Sequence, residues 1–193
     1  MKIRKIIILL YKFKILKRII PTTLKVFVKF FLIKEIKIIH NDLIFLLNPN
    51  NPIDREIYLK DKYESDQITF LEKKIEENDI KIFIDIGAHM GFYSINLSKK
   101  KINIYVFEPI IENFTQLEKN ILVNKIYNIK TYNLALSNIK KLVTMWVPDK
   151  NRTGGFAIYN KDDEALKKYE VKNLNIKVIQ SDIGDNLLDI KKS

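Results

Sequence analysis

The run Ile82-Phe83-Ile84-Asp85-Ile86-Gly87-Ala88-His89-Met90-Gly91 decides the reading of this chain. The apolar residues ahead of Asp85 are β-branched or aromatic, the composition of a central strand buried on both faces of a parallel sheet. Glycines at positions 87 and 91 bound a turn, and Phe92-Tyr93-Ser94-Ile95-Asn96-Leu97 follows with the apolar spacing of a helix. A second apolar run, Ile102 to Phe107, ends in Glu108-Pro109. That puts a carboxylate about 20 residues beyond Gly87, the offset at which a Rossmann-like α/β fold carries its ribose-binding acid.

The glycine spacing narrows the class of nucleoside cofactor. A dinucleotide site uses G-x-G-x-x-G so that backbone can approach a pyrophosphate. Here the spacing is G-x-x-x-G, with His89 where the second glycine would stand and Met90 adding bulk. S-adenosylmethionine carries no phosphate, only a zwitterionic methionine, a cationic sulfonium and a ribose, so a turn flanked by carboxylates suits it better. Glu108 is expected to accept hydrogen bonds from both ribose hydroxyls, which a carboxylate does in bidentate fashion. Asp85, at the carboxyl end of its strand, is expected to orient the turn amides and reach the methionyl ammonium. Gly87 and Gly91 serve backbone conformation and close helix packing. His89 reads as a polar loop residue beside the cofactor more readily than as a general base.

Four segments carry a family resemblance: Phe83 to Gly91 (FIDIGAHMG), Val106 to Asn113 (VFEPIIEN), Leu117 to Asn124 (LEKNILVN) and Leu134 to Asn138 (LALSN). In this order they resemble the FkbM family of class I methyltransferases, with Tyr63-Glu64 upstream and Arg152-Thr153-Gly154-Gly155 downstream as further matches. The resemblance runs from about Tyr58 to Leu188. It implies S-adenosylmethionine-dependent methyl transfer, commonly to a hydroxyl of a sugar or related small molecule such as a glycan precursor. It also adds Ala88 and Pro109 to the expected cofactor-binding positions, beside Asp85, Gly87, His89, Gly91 and Glu108. Family members continue into another strand with a Lys-Ile-Asp-Val-Glu-Gly type motif, and this sequence ends at Ser193 before one. The expectation is a C-terminally truncated domain, with no residue assigned as general base and an unpaired sheet edge that invites self-association. The other reading is a non-catalytic membrane-peripheral fragment that retains the family sequence.

Composition bounds the remaining classes. The chain has 193 residues, 47% of them hydrophobic, enough for one modest domain plus an extension. Abundant Ile, Lys and Asn read as the coding bias of an AT-rich genome. With no cysteine and only His40 and His89, no disulfide or recognisable metal constellation is expected, and a cytoplasmic location is the default. The formal charge of +11 is concentrated: residues 1–39 hold eleven Lys or Arg and one acid, whereas the remainder is nearly neutral. No basic patch of the kind that binds nucleic acid is legible in the core.

The basic segment alternates apolar clusters with lysines, and no apolar run approaches the roughly 20 residues needed to span a bilayer. Two basic amphipathic helices broken at Pro21-Thr22-Thr23 are expected. They would form either an interfacial attachment to anionic membrane, at its inner face, or a helical lid. The expected organisation is therefore 1–39 as this extension, 40–79 as a hairpin and helix, and 80–193 as a partial Rossmann-like domain. In more detail, the pattern predicts a hairpin of Ile36–Ile39 and Leu43–Leu47, a loop over 48–52 and a helix from Ser65 to Glu77. It predicts a helix opened by Pro109 with Phe114, Leu117 and Ile121 as its stripe, and strands at Ile129–Leu136, Leu142–Val147 and Leu174–Ile179. A short helix is expected at Asp162–Tyr169.

Overall fold

The structure, a computed structural model, describes residues 2–147, 157–158 and 175–187. The chain divides into two compact units, Met1–Lys73 and Lys74–Ser193.

In the first unit, helices α1 (Lys2–Tyr11) and α2 (Leu16–Phe30) precede a hairpin of β1 (Ile36–His40) and β2 (Leu43–Leu47). The hairpin pairs His40 with Leu43 across Asn41 and Asp42, both at positive φ (48° and 61°), as a two-residue turn matching strand twist requires. Its alternation buries Ile38, His40, Leu43, Phe45 and Leu47. The predicted break at Pro21 is not where the helices part: they separate at residues 12–15, and α2 runs through Pro21. Pro21 costs one backbone donor there, but its fixed φ is itself helical.

Helix α3 (Pro52–Leu59) was not expected. Its start carries a strong signal in retrospect, because the Asn51 side chain accepts from the Ile53 N–H at 2.9 Å and proline occupies the first turn. The buried Asp54 carboxylate accepts the Asn48 N–H at 2.6 Å. At the other end of α3 the Arg4 guanidinium donates to the carbonyls of Tyr58 (3.0 Å), Ile57 and Lys60 (both 3.3 Å), tying α1 to the carbonyl-rich helix terminus. Helix α4 (Ser65–Glu77) has its predicted bounds and spans the junction between the units.

The second unit is mixed α/β. Strands β3 (Ile82–Ile86), β4 (Asn103–Phe107) and β5 (Ile129–Tyr132) form a parallel sheet in that order, linked by helices α5 (Phe92–Leu97) and α6 (Ile111–Val123). This is the expected Rossmann-like succession. The strand carrying Asp85 is expected to have one unpaired edge, and among the described residues β4 is the middle strand and β3 pairs only with β4. Burial follows pairing: Ile104, Val106 and Phe107 are buried, whereas β3 is half-buried and Ile86 is 65% exposed.

The single strand predicted over Ile129–Leu136 is two. It bends at Asn133, whose side chain donates to the Glu108 carbonyl at 2.8 Å, and resumes as β6 (Ala135–Ser137) in a second sheet. That sheet has the order β6-β9-β7-β8, with β7 (Lys141–Val147) antiparallel to both β8 (Ala157–Ile158) and β9 (Asn175–Ile183), and β6 parallel to β9. Ile110, Val143, Met145 and Ile179 form its core. A last short helix, α7, covers Gly184–Leu187. The expected helix at 162–169 and the Arg152-Thr153-Gly154-Gly155 loop lie outside the described residues.

Candidate functional site

The turn between β3 and α5 is fastened to the end of β4 by three consecutive amides. Gly87 N–H and Ala88 N–H both donate to the Phe107 carbonyl, at 2.8 and 3.2 Å, and His89 N–H donates to Glu108 Oε2 at 2.8 Å. Gly91 N–H closes the turn on the Ala88 carbonyl at 2.8 Å. Three residues hold left-handed backbone here: Gly87 (φ 78°), His89 (φ 55°) and Gly91 (φ 83°).

The two glycines serve different ends. A methyl group added at Gly91 would stand 2.3 Å from Leu117 Cδ1 and 3.1 Å from Ile95 Cδ1, so Gly91 lets α5 and α6 approach each other. At Gly87 an added methyl meets nothing within 4 Å. Its requirement is the backbone angle, and the space above it is open.

Glu108 is 3% exposed, and its other oxygen accepts from Ile110 N–H (2.9 Å) and Asn113 Nδ2 (3.2 Å). Burial pushes its pKa up, the three hydrogen bonds pull it down, and the neighbouring Asp85 charge pushes it up again. A carboxylate has about four acceptor positions, so three are occupied by the fold and one is left, which corrects the expected bidentate hold on both ribose hydroxyls. Asp85 is likewise raised by burial and opposed by hydrogen bonds from Ser94, whose hydroxyl donates to Oδ2 at 2.5 Å. This corrects the expected division of labour: the Phe107 carbonyl and Glu108 orient the turn amides, and Asp85 is anchored to α5 through Ser94. Burial drops the His89 pKa to about 4, which keeps the ring neutral at physiological pH.

The structure thus brings Asp85, Gly87, Ala88, His89, Gly91 and Glu108 to one corner at the carboxyl ends of β3 and β4. Pro109 lies one step outside α6, which it does not open; Ile110 caps that helix and Ile111 begins it. Four supporting side chains went unread in the sequence: Ser94, Asn113, Asn133 and Asn120, whose buried amide donates to the Met90 carbonyl at 3.1 Å. Ser94, Asn113 and Asn120 lie within quoted stretches without being singled out there, and no periodic signal marks a bracing polar side chain. Glu64, the other residue carried by the resemblance, belongs to the first unit, at φ 47° just ahead of α4. Among the described residues no group of three or more His, Asp or Glu side chains is placed to hold a metal.

The arrangement disfavours a phosphate. A phosphate-binding turn presents free N–H groups to its ligand, and here the amides of residues 87 to 89 are donated to β4. What the corner offers instead is two acidic side chains and an open approach over Gly87.

No family model matches the chain, and no curated protein matches it. Among solved structures it is similar to Pyrococcus horikoshii TYW2 in complex with MeSAdo (18% identity, TM-score 0.38, 53% of this chain and 36% of that one). It is similar also to the Pyrococcus abyssi tRNA (uracil-54, C5)-methyltransferase in complex with S-adenosyl-L-homocysteine (20% identity, TM-score 0.36, 51% of this chain and 24% of that one). A third is Trm5b from Pyrococcus abyssi (18% identity, TM-score 0.35, 56% of this chain and 34% of that one). The chain therefore spans about a third or less of the length of these structures.

Proposed function

We propose that the second unit is an S-adenosylmethionine-binding methyltransferase unit of FkbM type, acting on a hydroxyl of a sugar or related small molecule. The observation that carries this reading is the pinned turn: with its amides donated to β4, it suits an adenosyl cofactor without phosphates better than a dinucleotide. The residues fit such a group. Open space over Gly87 accommodates it, the fourth acceptor position of Glu108 is suited to a ribose hydroxyl, and Asp85 adds negative charge for a cationic ligand. When bound, the cofactor supplies a methyl group on a sulfonium that is already a good leaving group. The chain's own contribution is to hold and align, which is where most of the rate of an in-line transfer comes from.

Calorimetric titration with S-adenosylhomocysteine and with a nicotinamide dinucleotide tests the reading. The former is expected to bind and the latter not. Glu108→Gln is expected to weaken S-adenosylhomocysteine by about 1.5–3 kcal/mol, the scale of hydrogen bonds to a charged acceptor. Tight binding of the dinucleotide, or unchanged affinity in a folded Glu108→Gln variant, refutes the assignment.

A further inference from the structure

Helices α1 and α2 are apolar on more than one side. In α1, Arg4, Ile7 and Ile8 are wholly or partly covered, and Arg4 reaches the end of α3. The opposite stripe, Ile3, Ile6 and Leu10, at spacings of three and four residues, faces solvent with Ile3 73% exposed. In α2, Val28 is the buried anchor, while Ile19, Val26 and Phe30, at spacings of seven and four, form an outer stripe with Phe30 79% exposed. A helix with a single inward stripe is what a folded unit needs; a second, outward stripe of large apolar side chains marks a docking surface.

The charge beside that surface says what docks. Helices α1 and α2 contain no acidic residue, and residues 1–39 carry a net charge of +10. Arg18, Lys25 and Lys29 are exposed and share the seven- and four-residue spacing of Ile19, Val26 and Phe30, one position earlier in each case. A basic stripe therefore flanks the apolar one, about a quarter-turn away around the helix. A nucleic acid would satisfy the cations and leave the apolar stripe in water, and a second copy of this chain would bring like charge to like charge. An anionic bilayer satisfies both, because its headgroups meet the lysines and its acyl boundary receives the apolar side chains. Among the described residues no helix is long and apolar enough to cross a membrane, so the contact lies in the interface plane.

We propose that α1 and α2 form a docking surface for an anionic lipid bilayer. This is independent of the cofactor reading. The test is co-flotation of the full chain with vesicles of phosphatidylcholine alone and of an equal mixture with phosphatidylglycerol. The parent is expected to float with the mixed vesicles only, and less as sodium chloride rises. Exchanging Arg18, Lys25 and Lys29 together for Gln is expected to weaken binding roughly a hundredfold, at about fivefold per removed charge. Exchanging Ile19, Val26 and Phe30 together for Ser leaves attachment at low salt that is stripped by salt the parent withstands. All six positions are exposed, and circular dichroism verifies that both variants fold. Equal binding to both vesicle types, binding to neither, or binding indifferent to the three charges overturns the proposal. So does a dimer, seen by sedimentation, that the Ser variant dissociates, or displacement from mixed vesicles by single-stranded RNA unaffected by the Ser changes.

Discussion

Gly91→Ala is the substitution whose cost the structure defines best, with Gly87→Ala as its internal control. Both residues have φ near +80°, so an alanine at either position bears the left-handed penalty of about 1–2 kcal/mol. Only at position 91 does the new methyl collide, 2.3 Å from Cδ1 of Leu117, a fully buried side chain. Overpacking of this kind adds about 1–3 kcal/mol, so Gly91→Ala is expected to cost about 2–5 kcal/mol against about 1–2 for Gly87→Ala. Leu117→Val removes the colliding atom at about 1 kcal/mol by itself. The double variant Gly91→Ala/Leu117→Val should then be more stable than the sum of its parts predicts by about 1 kcal/mol or more, a coupling read from urea denaturation of all four proteins. Equal costs at the two glycines, or strict additivity in the cycle, would refute the claim that Gly91 exists to bring α5 against α6.

Two further predictions follow from side-chain environment. His89 has its pKa lowered to about 4 in the folded state against an ordinary 6.5, so it contributes stability above pH 6.5 that is lost as pH falls toward 4. Asp85 and Glu108, both raised, act oppositely: their contribution is full in acid and fades as pH rises through their folded values. Comparing the parent with His89→Asn, which tolerates the left-handed backbone, cancels the carboxylates. Between pH 7 and pH 5 the parent should lose about 2 kcal/mol more than the variant, and a parallel pair of urea-midpoint curves would contradict the burial of that ring. Asn51→Ala removes the cap of α3 and should destabilise the chain by about 1 kcal/mol; an unchanged thermal midpoint would show that Pro52 alone starts the helix.

Much of the local structure was legible because its signals are periodic or punctuated. The hairpin at Asn41-Asp42, helix α4 and the strand-turn-helix around Gly87 and Gly91 each combine an apolar period with a turn residue of known angle. The errors lie where a period cannot tell neighbours apart. Residues 129–136 read as one strand, and it is tertiary contacts that divide them, β5 pairing with β4, β6 with β9, and the Asn133 side chain bonding to the Glu108 carbonyl between them. Pro21 read as a breaker, yet it is accommodated within α2, a boundary that propensity alone does not resolve. At the site, the charged and glycine positions stood out by strand end and offset. The asparagines that brace them did not, since neither the buried Asn113 and Asn120 nor the exposed Asn133 belongs to a pattern and this chain is rich in asparagine throughout.

The pinned turn also bears on how the chain folds. Every bond that shapes the corner, from Asp85 through Asn120, closes a loop of at most 30 residues: 19 between His89 and Glu108, 30 between Met90 and Asn120. Loop-closure entropy at such separations is small, and contacts of low order form early. The corner is therefore specified within a single contiguous stretch, from Asp85 to Asn120. Its three donated amides give that an observable signature: backbone hydrogens of Gly87, Ala88 and His89 should gain exchange protection together in refolding pulses, as one cooperative unit.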